Sequence, residues 1–157
     1  MKATSLWLIA ACVAGLFVFV SGAQTRRDVG SSQKRKAVVI TRLYTGSDGQ
    51  THAEEIEATF TAGRPNEIFK MRGITGAELH RAAPGTVIDW HTAPRRQYVI
   101  TLSGQAEIEV AGGKKITVGP GHIDLVEDTT GKGHITKVTG NEERVTLQLP
   151  LSEQVNR

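Results

Sequence analysis

The stretch DWHTAPRRQYVITLSG, residues 89–104, sets His91, Arg95, Arg96 and Gln97 where a polar loop gives way to an apolar strand. Imidazole titrates near neutral pH and ligates transition metals. The amide adds a neutral donor and acceptor, and adjacent guanidinium groups can grip a carboxylate or phosphate. Side chains two apart on a strand share a face. His91, Ala93, Gln97, Val99 and Thr101 therefore have one parity, and Tyr98, Ile100 and Leu102 the other. With the first set pointing into a barrel, His91, Gln97 and Thr101 share its cavity, and His134 can join them from a neighbouring strand. Tyr98, Ile100 and Leu102 then face outward and need a cover: a second sheet, the N-terminal strand or another subunit.

The elements that must hold these residues are short and alternating. From Lys36 onward AVVITRLY, EEIEATF, AELHRAA, TVIDW, QYVITL, QAEIEV, KKITV, HIDLVED, HITKV and RVTLQLP read as strands, separated by turn-forming runs such as TGSDGQ, AGG, GPG, TTGKG and TGNEE. In QAEIEV, Ala106, Ile108 and Val110 alternate with Gln105, Glu107 and Glu109, the pattern of a strand with one wet face. Ten short strands without an amphipathic helix among them predict an all-β fold, an antiparallel barrel or two-sheet jelly roll. A helix is expected only at residues 151–157.

Two segments then line up with a known pattern. Gly85, His91, Ala93, Gln97 and Gly104 have the spacing of the first motif of the cupin superfamily, and GPGHIDLVEDTTGKGH resembles the second, with His134 at its histidine position. The resemblance covers about residues 77–150. It implies a cupin-like antiparallel β-barrel, the double-stranded jelly roll, and a metal site in which His91, Gln97 and His134 are the candidate ligands. The family usually carries His, His and Glu where this chain has His91, Ala93 and Gln97. Gly85, Gly104 and Gly121 are expected at corners that a Cβ would obstruct. Cupins commonly pair through a sheet, so a homodimer is expected.

These departures divide the functional expectation. Two imidazoles and an amide would hold a divalent Zn, Fe, Mn or Ni ion only loosely, because each lost ligand removes roughly 3 kcal/mol of a zinc site's affinity. The first expectation is a pocket for a small molecule lined by His91, Gln97, Thr101 and His134, with Arg95 and Arg96 at its mouth and a degenerate metal site. The alternative is a metal-dependent enzyme of dioxygenase or isomerase type using His91, Gln97 and His134. No catalytic residue is assigned. For the arginines the plainer reading is solvation, or pairing with Asp89 or Glu127.

Other residues read more simply. His52 is expected on a surface loop, with completion of the ligand set as its rarer role. His80 is expected exposed or interfacial, His122 solvent-facing, and Trp90 in the core or a lid. TTGKG lacks the Walker spacing and is a turn. Glu54, Glu55 and Glu57 alternate over both faces and form no carboxylate pair. No nucleophile system can be assembled, since the one cysteine, Cys12, lies near the N-terminus.

The ends carry targeting information. Residues 1–23 combine one cation, an apolar run Leu6–Val20 and small residues at 21 and 23, which reads as a signal helix cleaved near Ala23. The apolar run of about 15 residues is shorter than the roughly 20 needed to span a bilayer. Secretion or a periplasmic location is expected, with an uncleaved N-terminal anchor as the alternative and no stable membrane insertion after cleavage. Residues 24–35 form a basic linker, 36–150 the barrel and 151–157 a tail. The chain has 19 basic and 16 acidic residues, and none of the basic groups forms a stripe interleaved with aromatics, so nucleic acid is not an expected partner.

Overall fold

The computed structural model describes residues 36–71 and 73–152. Residues 1–35, where a signal helix and a basic linker were expected, and residues 153–157 lie outside the described residues. Among those described, all ten segments read as strands are strands: β1 Val39–Thr45, β2 Thr51–Glu57, β3 Glu78–Ala82, β4 Val87–His91, β5 Gln97–Ser103, β6 Gln105–Glu109, β7 Lys115–Val118, β8 Ile123–Val126, β9 His134–Thr139 and β10 Arg144–Pro150. The one helical element among them is a 3-10 turn, Ala111–Gly113.

The strands form a six-stranded sheet, β2-β1-β8-β5-β10-β3, and a four-stranded sheet, β4-β9-β6-β7. Alternation explains how they close on each other. Leu43, Val99 and Val126 from the larger sheet pack with Ala106, Ile108 and Val118 from the smaller and with Val110 just past β6, all buried. Fully burying such a side chain contributes about 1.5–3 kcal/mol. Glu107 and Glu109, on the opposite parity of β6, both lie near Lys115. The expected arrangement was antiparallel throughout, and it departs in one place. β1 runs parallel to β8, with Arg42 opposite Leu125. No hairpin constrains this pair, because β1 joins from the N-terminal end of the domain.

The outer face of the large sheet is partly covered. Tyr98 packs with Ile40 and Ala58, and Phe69, Met71, Leu125, Leu149 and Leu151 complete that cluster. The N-terminal strand and residues 58–71 thus supply the cover that Tyr98 requires. Further along, Leu79, Leu147, Ile100 and Ile123 form one row across four strands, and Leu79 remains 71% exposed. Of residues 151–157, the one segment where a helix was expected, Leu151 is not helical: it bridges to Ile74 and its N–H donates to the Arg96 carbonyl at 2.9 Å. Chain extension is preferred there because Leu151 completes the apolar cluster beside Tyr98.

Candidate functional site

His91 closes β4 and His134 opens β9, and the two are register partners. Their ring centroids lie 4.4 Å apart. The approach of the two strands depends on Gly133, whose φ is +78° and whose position leaves no room for a Cβ against the His91 carbonyl. Each ring is oriented from behind. His91 Nδ1 donates to the Asp89 carbonyl at 2.9 Å, and His134 Nδ1 lies 2.6 Å from Asp128 Oδ2. Asp128 is fully buried, and the same oxygen accepts the Thr51 hydroxyl at 3.0 Å. Nδ1 is therefore committed in both rings, and Nε2 is the nitrogen available to a ligand. Burial lowers the pKa of His91 below its ordinary value, against the raising influence of the Asp89 carbonyl.

The histidines face a cavity of about 110 Å³ between the sheets, whose lining includes Gln97, Val99, Ile108, Asp124 and Arg144. Gln97, Val99 and Thr101 do share the inner face of β5, and all three are buried. Thr101 does not line this cavity, because its hydroxyl accepts Arg144 Nη2 at 3.0 Å. Gln97 Oε1 sits 3.4 Å from Arg95 Nε, and Arg95 Nη2 binds Glu78 Oε2 at 2.6 Å. His80 and Arg95 together hold the Glu78 carboxyl below its usual range. Arg95 is thus tethered beside the cavity, its fork already paired.

Arg96 is elsewhere. Its guanidinium holds Glu127, which Arg42 also grips from β1 at 2.6 Å. The expectation that Arg96 stands at the pocket mouth is corrected in favour of the plainer pairing with Glu127, because its side chain has the outward parity of Tyr98. Among the described residues no arginine pairs with Asp89, whose Oδ1 accepts the Trp90 N–H at 2.8 Å. Trp90 is half-buried with Lys132 Nζ 3.7 Å from its ring centroid, so a cation caps it rather than a core. His52 is half-buried on strand β2 rather than on the expected surface loop, with Nε2 3.1 Å from Asp48, and it does not line the cavity. His80 is exposed as expected and contacts Glu78.

Sequence reasoning missed the acidic and basic residues inside. His122 was expected to face solvent, yet its Nε2 is buried 3.1 Å from Asp124 Oδ1. Asp124 is itself buried on the inner face of β8. Its parity with Val126 in HIDLVED was the available signal. Arg144 opens β10, and burial lowers its guanidinium pKa while Asp124 opposes that shift. Its position relies on Gly104, where a Cβ would come within 2.8 Å of the Arg144 Cα. At Gly85 and Gly121 a Cβ would meet nothing within 4 Å; there glycine serves the positive φ rather than space, which corrects the expectation of obstruction.

The donor set fits a catalytic metal poorly. Among the described residues no three His, Cys, Asp or Glu side chains converge to hold an ion. Ala93, buried on the cavity wall, offers a methyl where a third imidazole would complete the set. Arg95 beside the Gln97 amide oxygen uses that acceptor and adds like charge against a cation.

No protein-family model and no curated protein matches the chain. Among solved structures, it is similar to a conserved protein of unknown function from Streptococcus pyogenes, at 20% identity and TM-score 0.39, over 54% of this chain and 71% of that one. A double-stranded β-helix protein from Klebsiella pneumoniae is 17% identical with TM-score 0.42, over 61% of this chain and 85% of that one. The Cnp3 cupin domain of Schizosaccharomyces pombe is 13% identical with TM-score 0.41, over 75% and 86%. Likeness at this level transfers no residue role. The fold rests on the chain's own strand pairing, an all-β pair of facing sheets, and the solved structures it is similar to are cupin-domain and double-stranded β-helix proteins.

Proposed function

We propose that this chain is a small-molecule-binding barrel of the cupin kind, exported to the periplasm or outside the cell, with a degenerate metal site. The observation that carries this reading is the cavity between the sheets. Polar groups from β4, β5, β8, β9 and β10 converge on it over an apolar floor of Val99, Ile108 and Val126. Fixed polar groups beside apolar side chains in one concave space are how ligand pockets are built, and at about 110 Å³ this one suits only a small ligand. Leu79, exposed at the end of a row continued by half-buried Leu147 and Ile100, supports pairing of two copies through the outer face of the large sheet.

A second reading, a metal-dependent enzyme of dioxygenase or isomerase type, has one observation in its favour. Both histidines have Nδ1 tied to an oxygen acceptor, as metal-binding histidines usually do. Two imidazoles and an amide shared with Arg95 weigh against it. Elemental analysis of protein purified without chelators separates the readings. The binding-module reading expects substoichiometric metal that does not change in a His91→Ala/His134→Ala variant. Near-stoichiometric metal lost in that variant would favour the enzyme.

A further inference from the structure

The cavity contains a second pair of groups that the imidazoles leave unused. Asp124 is 1% exposed and sits between Val99 of β5 and Thr41 of β1. His122 Nε2 lies 3.1 Å from Asp124 Oδ1, an ion pair only when that imidazole is protonated, and neither carboxylate oxygen has a hydrogen-bond partner among the described residues. Arg144 spends one N–H on Thr101, and its Nε is buried with no acceptor. Both side chains line the same cavity, yet they feel each other only at range and form no ion pair. A buried carboxylate and a spare guanidinium N–H are each costly alone. One molecule relieves both if it has acceptor oxygens at one end and donor hydrogens at the other.

We infer that the cavity takes a small carboxylate carrying a neighbouring hydroxyl or ammonium group, its carboxylate on Arg144 and its donor hydrogens on Asp124. This rests on the small-molecule reading above and narrows it. A guanidinium fork matches a carboxylate, and an ionised aspartate accepts only. A cavity of about 110 Å³ also limits the ligand. At roughly 30 Å³ per water it has room for about four waters, and because bonded atoms pack more closely than separate waters the ligand is limited to about the size of a three-carbon acid. Ile88, Thr136, Arg144 and Gln148 line both this cavity and a recess of about 420 Å³ between β3, β4, β9 and β10. Arg144 therefore stands at the neck between them. An anion arriving through the recess meets it before reaching Asp124 or the histidines.

The test uses the purified protein and four probes: lactate, alanine, propionate and a neutral amide of similar size. Binding is read by calorimetry and by the ¹⁵N shift of the Arg144 Nε–H. Lactate or alanine should bind at least about 10-fold tighter than propionate, because the site rejects an analogue that leaves Asp124 unpaired. Whichever of the two is preferred distinguishes a hydroxy acid from an amino acid. Both should move the Arg144 signal. Asp124→Asn should cut the preference over propionate to about 3-fold or less, and Arg144→Gln should abolish binding of all three acids. Should either variant fail to fold, the wild-type ranking and the Arg144 signal decide alone. Equal binding of propionate and lactate, or binding that leaves Arg144 unmoved, overturns the inference. Binding of the neutral amide alone would overturn it while leaving the small-molecule reading standing. No binding by any probe, with a wider screen of small polar molecules also silent, would overturn both and leave ordered water as what Asp124 and Arg144 hold.

Discussion

His134 stands opposite His91 on the β4–β9 ladder, and its ring is fixed from behind by Asp128 at 2.6 Å. That carboxylate is fully buried and is shared with Thr51 of β2. β2 and β9, strands of different sheets, are therefore joined at the edge of the cavity through a carboxylate on the loop after β8.

Removing Asp128 should be severe. Asp128→Ala leaves the His134 Nδ1–H and the Thr51 hydroxyl buried without an acceptor. Breaking a buried hydrogen-bonded pair from one side costs about 3–5 kcal/mol. Thr51→Val, which removes one donor and keeps the shape, should cost about 1 kcal/mol. Urea unfolding measures both, and a loss below about 1 kcal/mol for Asp128→Ala would show that the contact carries little.

Stability should fall in two steps as the solution is acidified. The folded pKa of His91 is lowered, chiefly by burial, from the 6.5 expected of the unfolded chain. The unfolded chain takes up its proton first, so stability is full above about 6.5 and declines as pH falls from there through the folded value. Glu127 acts lower. Burial pushes it up, but the Arg96 and Arg42 hydrogen bonds outweigh that and hold it below 4.5. Its contribution is present above 4.5 and lost as pH falls through the folded value. Urea midpoints across this range should lose their upper decline in His91→Gln and keep the lower one. An unchanged upper decline in that variant would contradict the assignment.

Much of this was legible in the sequence, and for a definite reason. Period-two alternation reports which side of a strand is dry, so the strands, the inner set Gln97, Val99 and Thr101, and the outer Tyr98 could all be read. What alternation does not report is which remote group a charged side chain will meet. Arg95 and Arg96 are adjacent in a loop, yet one reaches Glu78 of β3 and the other Glu127 beyond β8. Arg144 follows Glu142 and Glu143 in a turn and looks solvated; only the fold carries it inward over Thr101.

The third ligand position can be restored. Ala93 is 5% exposed and lines the cavity with His91 and His134. Ala93→His should tighten Zn or Co binding by roughly 10–100-fold, short of a full ligand's worth because the pocket is not shaped for it. Gln97→Glu should add less than a free carboxylate would, since Arg95 already stands beside that side chain. Competitive metal titration of wild type, single variants and pair checks this. Unchanged affinity in every folded variant would mean that these side chains do not converge.

If the space between the sheets binds a small polar molecule, a folded protein with that space partly filled must lose the binding. Ligand-observed NMR against a library of such molecules tests it most directly, with wild type beside Ala93→Met, whose longer side chain fills part of the cavity. Wild type should return hits that Ala93→Met, still folded by circular dichroism, loses or weakens by at least about 10-fold. Hits that bind both proteins equally, or no hits at all, would contradict the account.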